Sequence, residues 1–357
     1  MAVTWKRLAY YEEVTGRKPY HGIETIGSVS FNASSHIVTI ATGVTYWVNG
    51  VQKSVVGSVT SDIDSYESLT TNTLYYFYFD DTTGTLKCSD SFWNLHTMVP
   101  ACTVFWNGSA GAINKEWHNY TRDIDWHINA HLTIGTRYHT GLSLTCPNTV
   151  QDSVLTIETG DIYDEDLLQT TGQCSNCRGW YKTSANVYTF ANYSLPYLSD
   201  TSGAPQYLRT TDYTLQYAST SKYICCWVYA STDIDRPIYI IPTHATAEHN
   251  TITLARAEAP PNLSGLNLNP EMKLIYKFIY KGNGEFQEYV DYRNSSSLPA
   301  GGNASTSAGT VSFVPYGNIS STTVQGAIQE LDDEKKSYTK LPFFDSSGTA
   351  KNITLTI

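Results

Sequence analysis

"VTYWVNGVQKSV", Val44 to Val55, places Asn49-Gly50 between two runs of β-prone residues. Both turn residues tolerate a positive φ, and such a pair between strand-like segments is the strongest short-range signal for a tight hairpin. The same formula recurs downstream. "TLYYFYFDDTTGTLKCS" (73–89) joins an aromatic strand to a return strand through a polar turn ending at Gly84, and "MVPACTVFWNGSAGAI" (98–113) turns at Asn107-Gly108. Turn signals this close together leave no room for crossover helices, so residues 21–140 are expected to form an antiparallel β domain.

Residues 125–144, "DWHINAHLTIGTRYHTGLSL", alternate, with Trp126, Ile128, Ala130, Leu132 and Ile134 on one side and His127, Asn129, His131 and Thr133 on the other. That period predicts a further strand. Short β-prone runs continue to "MKLIYKFIYKGNGEFQEYVDYR" (272–293), a long hairpin turning at Gly282-Asn283-Gly284, with Tyr276, Phe278 and Tyr280 on one face. Residues 141–293 are therefore expected to form a second, sandwich-like β domain. The Ser/Gly/Ala/Asn tract 294–310 has little to bury and reads as a linker. The expected fold is mainly β: two antiparallel domains, the linker, and a short oligomerising helix within 311–357. Residues 1–20, with four aromatic rings and four basic residues and no sustained period, read as an arm that becomes ordered on a neighbour or as a first strand.

Composition narrows the function. Only 16% of the residues are charged, against about 25% in an average domain, and 27 tyrosines with many Thr, Ser and Asn fill the polar positions. The net charge of -10 provides no basic field for phosphate, so nucleic acid is not an expected partner. No apolar run approaches the roughly 20 residues of a membrane span, and "MAVTWKRLAYYEEV" lacks the apolar core of a leader. The expectation is a chain made in the cytoplasm and not inserted in a membrane. Seven irregularly spaced cysteines argue against a disulfide framework.

Candidate chemistry is sparse, and no cofactor is expected. "CSNC" (Cys174, Cys177) has the spacing of half a zinc site that Cys225-Cys226 would have to complete; the alternative is reduced thiols acting as small hydrophobes. "HINAH" has the His-x-x-x-His spacing of zinc peptidases without their glutamate. On a strand, residues four apart stand about 13 Å apart, so His127 and His131 could meet a metal only on the axis of a symmetric oligomer; the expected reading is a polar strand face making ordinary hydrogen bonds, with no metal. The acids Asp164, Glu165 and Asp166 in "IYDEDLL" could be drawn as glycosidase carboxylates, but adjacent acids in a turn more often mark a solvated loop or a cation site. Phosphate-loop, nucleophile-elbow and EF-hand patterns do not occur.

"GNISSTTVQGAIQELDDEKK" (317–336) reads plainly as a helix. Thr322 caps it, Gln325 completes a capping box, and Val324, Ala327, Ile328 and Leu331 form one apolar stripe. At about fourteen residues the helix is marginal in water, so the stripe must be covered. The flanking "TVSFVP" and "LPFF" segments could cover it, as could the same helix in sister chains, which is the expected arrangement.

The stretch "GTVSFVPYGNISSTTVQGAIQELDDEK" (309–335) resembles the strand-plus-helix junction that links modules of homotrimeric tailed-bacteriophage fibres, with the pattern VSF.P.G.I..T.VQ.AI.EL.. Upstream, "GVTYWVNG", "LYYFYFDDTTGTLKCSDSFW", "CTVFWNGSAGAINKEWHN", "HLTIGTRYHTGLSL", "GDIYDEDL" and "SGLNLNPEMKLIYKFIY" are similar to N-terminal modules of phage virion proteins of the tail-fibre type. The resemblance implies a non-enzymatic virion protein of the tail: a homotrimeric fibre or fibre adaptor. Residues 1–20 would be its virion-attachment arm, other virion proteins its partners, a host-surface glycan or protein its target, and 311–357 the start of a distal segment. A tailspike-type glycan hydrolase and a head or neck component without a receptor role are the alternatives.

Overall fold

The computed structural model describes residues 19–294 except 83, 122–123, 146–155, 166, 194–196, 200–202, 267 and 269–270, together with 326–331, 340–344, 347 and 350–354. The chain is mainly β, with several antiparallel sheets in a sandwich-like arrangement. It divides into two compact units, Met1–Ala300 and Gly301–Ile357.

The opening hairpin forms as its turn chemistry requires. Val44–Val48 pairs with Val51–Val55 in the register Val48↔Val51, and Asn49 (φ 48°) and Gly50 (φ 80°) both take left-handed backbone. The first of these strands also pairs with Gly22–Ile26. A separate three-stranded sheet is ordered Val29–Asn32, Ile37–Ile40, Val59–Asp62.

Two larger sheets carry the core. One has four strands, in the order Gly111–Lys115, Val99–Trp106, Thr73–Phe79, Lys87–Ser89, all antiparallel. The other has six: Val187–Tyr193, Cys177–Ser184, Ile238–Pro242, Tyr223–Ser231, Met272–Lys281 and Phe286–Asp291, with one parallel contact, between the second and third.

Strand alternation sorts the side chains into three apolar layers. From Thr73–Phe79, Tyr75, Phe77 and Phe79 join the N-terminal sheets in one layer, while Leu74, Tyr76 and Tyr78 face a second. That second layer is completed from the six-stranded sheet by Trp180, Trp227, Tyr229 and Tyr239. The far side of the six-stranded sheet buries Ile224, Cys226, Val228, Tyr276, Phe278 and Tyr280 in the third. The middle layer joins residues on both sides of 140/141, the position at which the sequence suggests a domain boundary, because an aromatic strand buried on both faces needs cover from each side.

One expected element is different. Residues Ile124–Thr133 form an α-helix, not a strand. Alternation over so short a run does not exclude a helical period, and the helical one wins: Ile124 and Ile128, four apart, both pack on the middle layer. Trp126, which a strand would have placed with Ala130, is 38% exposed while Ala130 is buried.

In the second unit, residues 326–331 are helical, and Lys340–Phe344 pairs with Ala350–Thr354 as an antiparallel hairpin. The "TVSFVP" segment, Thr322, Val324 and Gln325 lie outside the described residues. No helix among the described residues is long and apolar enough to cross a membrane.

Candidate functional site

Four segments distant in sequence bring six ionisable side chains together beside the middle layer. Glu116 and His118 follow the strand Gly111–Lys115, and His131 lies in the last turn of the helix Ile124–Thr133. Asp164 ends the strand Gly160–Asp164, and Glu165 begins the tight turn into Leu167–Thr171, where Asp164 pairs with Leu167. Glu271 immediately precedes the strand Met272–Lys281. The tight turn imposes left-handed backbone on Glu165 (φ 44°), a region that costs a residue with a Cβ roughly 1 kcal/mol. Arg137 Nη2 donates to the Glu165 carbonyl at 2.8 Å and holds the turn in place.

The carboxylates are closed off from solvent. Asp164 and Glu165 are 0% exposed, and Glu116 and Glu271 are 3% exposed. The solvated loop expected for the acidic run is therefore corrected for Asp164 and Glu165, because the turn packs against His118, His131 and Thr136; Asp166 lies outside the described residues.

Glu165 sits between the two imidazoles, with Oε1 3.2 Å from His131 Nδ1 and Oε2 3.8 Å from His118 Nδ1. His131 Nδ1 is also 3.4 Å from Glu271 Oε1, and His118 Nε2 is 3.8 Å from Glu116 Oε2. Two triads result, Glu116/His118/Asp164 and His131/Glu165/Glu271, each with its ligand atoms within 4.8 Å of one another. Thr136 Oγ1 donates to Asp164 Oδ1 at 3.4 Å. Two buried oxygens, Asp164 Oδ2 and Glu271 Oε2, accept no hydrogen bond among the described residues.

Burial, reinforced by the charge of Glu165, pushes the Asp164 carboxyl up to about 8. Burial and the neighbouring carboxylates likewise raise Glu116 and Glu271 well above the usual range. Burial lowers the His131 imidazole. The protein has packed four acids where their negative charges are mutually unfavourable.

A third triad, Cys225/His249/Glu258, is of another kind. Glu258 accepts from Trp227 Nε1 at 2.8 Å, from Thr243 Oγ1 at 2.8 Å and from His249 Nε2, while Cys225 Sγ donates to the Ala255 carbonyl. Burial alone would raise the Glu258 carboxyl, but these hydrogen bonds outweigh it and hold it below the ordinary value. Hydrogen bonds satisfy this site without an ion.

The sequence candidates fall as follows. His131 belongs to the acidic cluster inside its own chain. His127 lies one helical turn earlier, with its side chain outside the described residues. The separation of the pair expected from a strand is corrected, because residues four apart on a helix are neighbours.

Cys174 Sγ donates to the Asn176 carbonyl and Cys177 Sγ to that of Tyr193. Among the described residues, neither cysteine belongs to a cluster of three ligand-type side chains. Burial pushes the Cys177 thiol up to about 12, as for a small hydrophobe. Of the helical stripe, Ala327 is buried, whereas Ile328 and Leu331 are 55% and 50% exposed. A cavity of about 350 Å³ is lined by polar residues including Gln169, Thr171, Ser231 and Asp233.

Glu116, His118 and Glu271 were not legible as site residues, since nothing in their local sequence marks them. The one usable signal was the acid pair 164–165 set between apolar strand residues, where a solvated turn would not need them. Comparison with family models, with curated proteins and with solved structures found no match.

Proposed function

We propose that this chain is a structural component of a tailed-phage virion, a homotrimeric tail fibre or fibre adaptor that contributes to attachment at the host surface. The observation that carries the reading is the 309–335 stretch, whose order of strand, turn and apolar helix stripe resembles the fibre-linking junction. The antiparallel, sandwich-like architecture supports it. So does the exposure of Ile328 and Leu331, since a stripe half open to solvent in a single chain is suited to burial against copies of itself. Binding is favoured over glycan hydrolysis because Asp164 and Glu165, the carboxylates a hydrolase reading would use, are closed to a polymeric substrate.

Two measurements test the proposal. Antibody labelling of intact particles under the electron microscope is expected to decorate the tail; labelling confined to the head or neck, or none, would remove the fibre reading. In sedimentation the wild type is expected at the mass of a trimer and Leu331→Asp at that of a monomer. Equal monomeric masses would dispose of the helix as the oligomerising element.

A further inference from the structure

The buried cluster at Glu116, His118, His131, Asp164, Glu165 and Glu271 needs positive charge that the two imidazoles do not fully supply. Four carboxylates lie in a region of 0–3% exposure, where unpaired charge costs several kcal/mol per ion even after relaxation. Native folds satisfy such groups with cations or donors, and the buried Asp164 Oδ2 and Glu271 Oε2 accept from no N–H or hydroxyl group among the described residues, the two carboxyls having only each other and their acidic neighbours within reach. The geometry fits coordination. Donors held about 2.0–2.1 Å from a tetrahedral ion stand about 3.3 Å from one another. His131 Nδ1 lies 3.2 Å from Glu165 Oε1 and 3.4 Å from Glu271 Oε1. A single N–H cannot donate fully to both oxygens, whereas a ring nitrogen lone pair and two carboxylate oxygens can converge on one ion.

We propose that the two triads form a structural metal centre for divalent first-row transition ions, with the Glu165 carboxylate bridging them. Mixed imidazole and carboxylate donors suit Mn²⁺, Fe²⁺ or Zn²⁺ better than Ca²⁺ or Mg²⁺, which favour all-oxygen shells. A divalent ion in each triad balances the four carboxylate charges. The role is structural because the ligands are enclosed, and it ties the helix Ile124–Thr133, the 164–165 turn and the start of the strand Met272–Lys281 to the end of the four-stranded sheet. The inference is independent of the virion assignment, since metal content is read on the purified chain whatever its location.

The test is elemental analysis of the full chain, as purified and after incubation with Mn²⁺ or Zn²⁺ followed by desalting, with thermal unfolding in the presence and absence of a chelator. Metal is expected to be retained in stoichiometric amount, and the chelator is expected to lower the melting temperature of the wild type. Asp164→Asn combined with Glu271→Gln should reduce retention by at least about tenfold, while Glu258→Gln keeps it. Only trace metal after loading, with a wild-type melting temperature indifferent to chelator, overturns the centre in favour of carboxyls that share protons. The wild-type arm decides even if the double variant fails to fold.

Discussion

Glu258, partly buried, and Glu165, fully buried, both touch a histidine, yet their surroundings are opposite. Around Glu258 three side-chain donors converge on one carboxylate, and the carboxyl stays below its ordinary value. Asp233 also collects donors, although burial still raises its carboxyl: Arg178 Nε donates to it at 2.5 Å, Tyr239 Oη at 3.0 Å, and the backbone N–H groups of Asp235 and Arg236 at 2.9 and 3.0 Å. Around Glu165 the acids crowd one another. The fold completes a lone carboxylate from its own donors; in the group of four, Asp164 Oδ2 and Glu271 Oε2 accept from no N–H or hydroxyl group among the described residues. Burial by itself therefore says little about a site, and the ratio of donors to acceptors says much more.

The comparison breaks most visibly at its best-satisfied member. Arg178→Ala strands the Asp233 charge inside the protein and should cost about 3–5 kcal/mol, read from denaturant unfolding. A loss under about 1 kcal/mol would mean that the pair contributes little beyond its packing.

Glu258→Gln should cost about 1–2 kcal/mol, because the single amide oxygen can still accept from Trp227 Nε1, but the amide nitrogen then faces Thr243 and His249 and the charge-assisted bond to His249 is lost. The sign of its pH dependence follows from the lowered carboxyl. Native structure favours the ionised form, so the advantage of wild type over Glu258→Gln is full above the ordinary value of 4.5 and fades as pH falls through the lower folded-state value. Unfolding of both proteins across pH 3–6 reads this out, about the 4.5 of an ordinary glutamate. A gap that widens on acidification would reverse the assignment.

The smallest effect is the most discriminating. In the presence of chelator, Asp164→Asn should stabilise the chain by about 1 kcal/mol, since burial and the neighbouring acids disfavour an ionisable carboxyl at this position. The same change in the metal-loaded protein should destabilise it. Neutralising an acid would thus carry opposite signs at 164 and 258, and thermal unfolding of each variant with and without chelator measures both.

Much of the fold was legible in the sequence, for local reasons. Asn49-Gly50 announces its hairpin through positive φ, and the 272–293 hairpin shows its buried face through Tyr276, Phe278 and Tyr280. The helix Ile124–Thr133 was not legible as one, because an apolar residue at every second position over ten residues also includes pairs four apart, and tertiary packing decides between the periods. The cluster was hidden for a different reason. Its ligands come from 116–118, 131, 164–165 and 271, and no spacing rule joins segments that only the packed sheets bring together. His131 was singled out for its spacing to His127, yet its observed partners are Glu165 and Glu271.

The most direct measurement is anomalous scattering from crystals of the full chain grown with Mn²⁺ or Zn²⁺. A metal centre predicts a strong peak at the absorption edge of the added ion, between His131 Nδ1, Glu165 and Glu271. The absence of any such peak, with the Asp164 and Glu271 carboxyls instead paired through a shared proton, would contradict it.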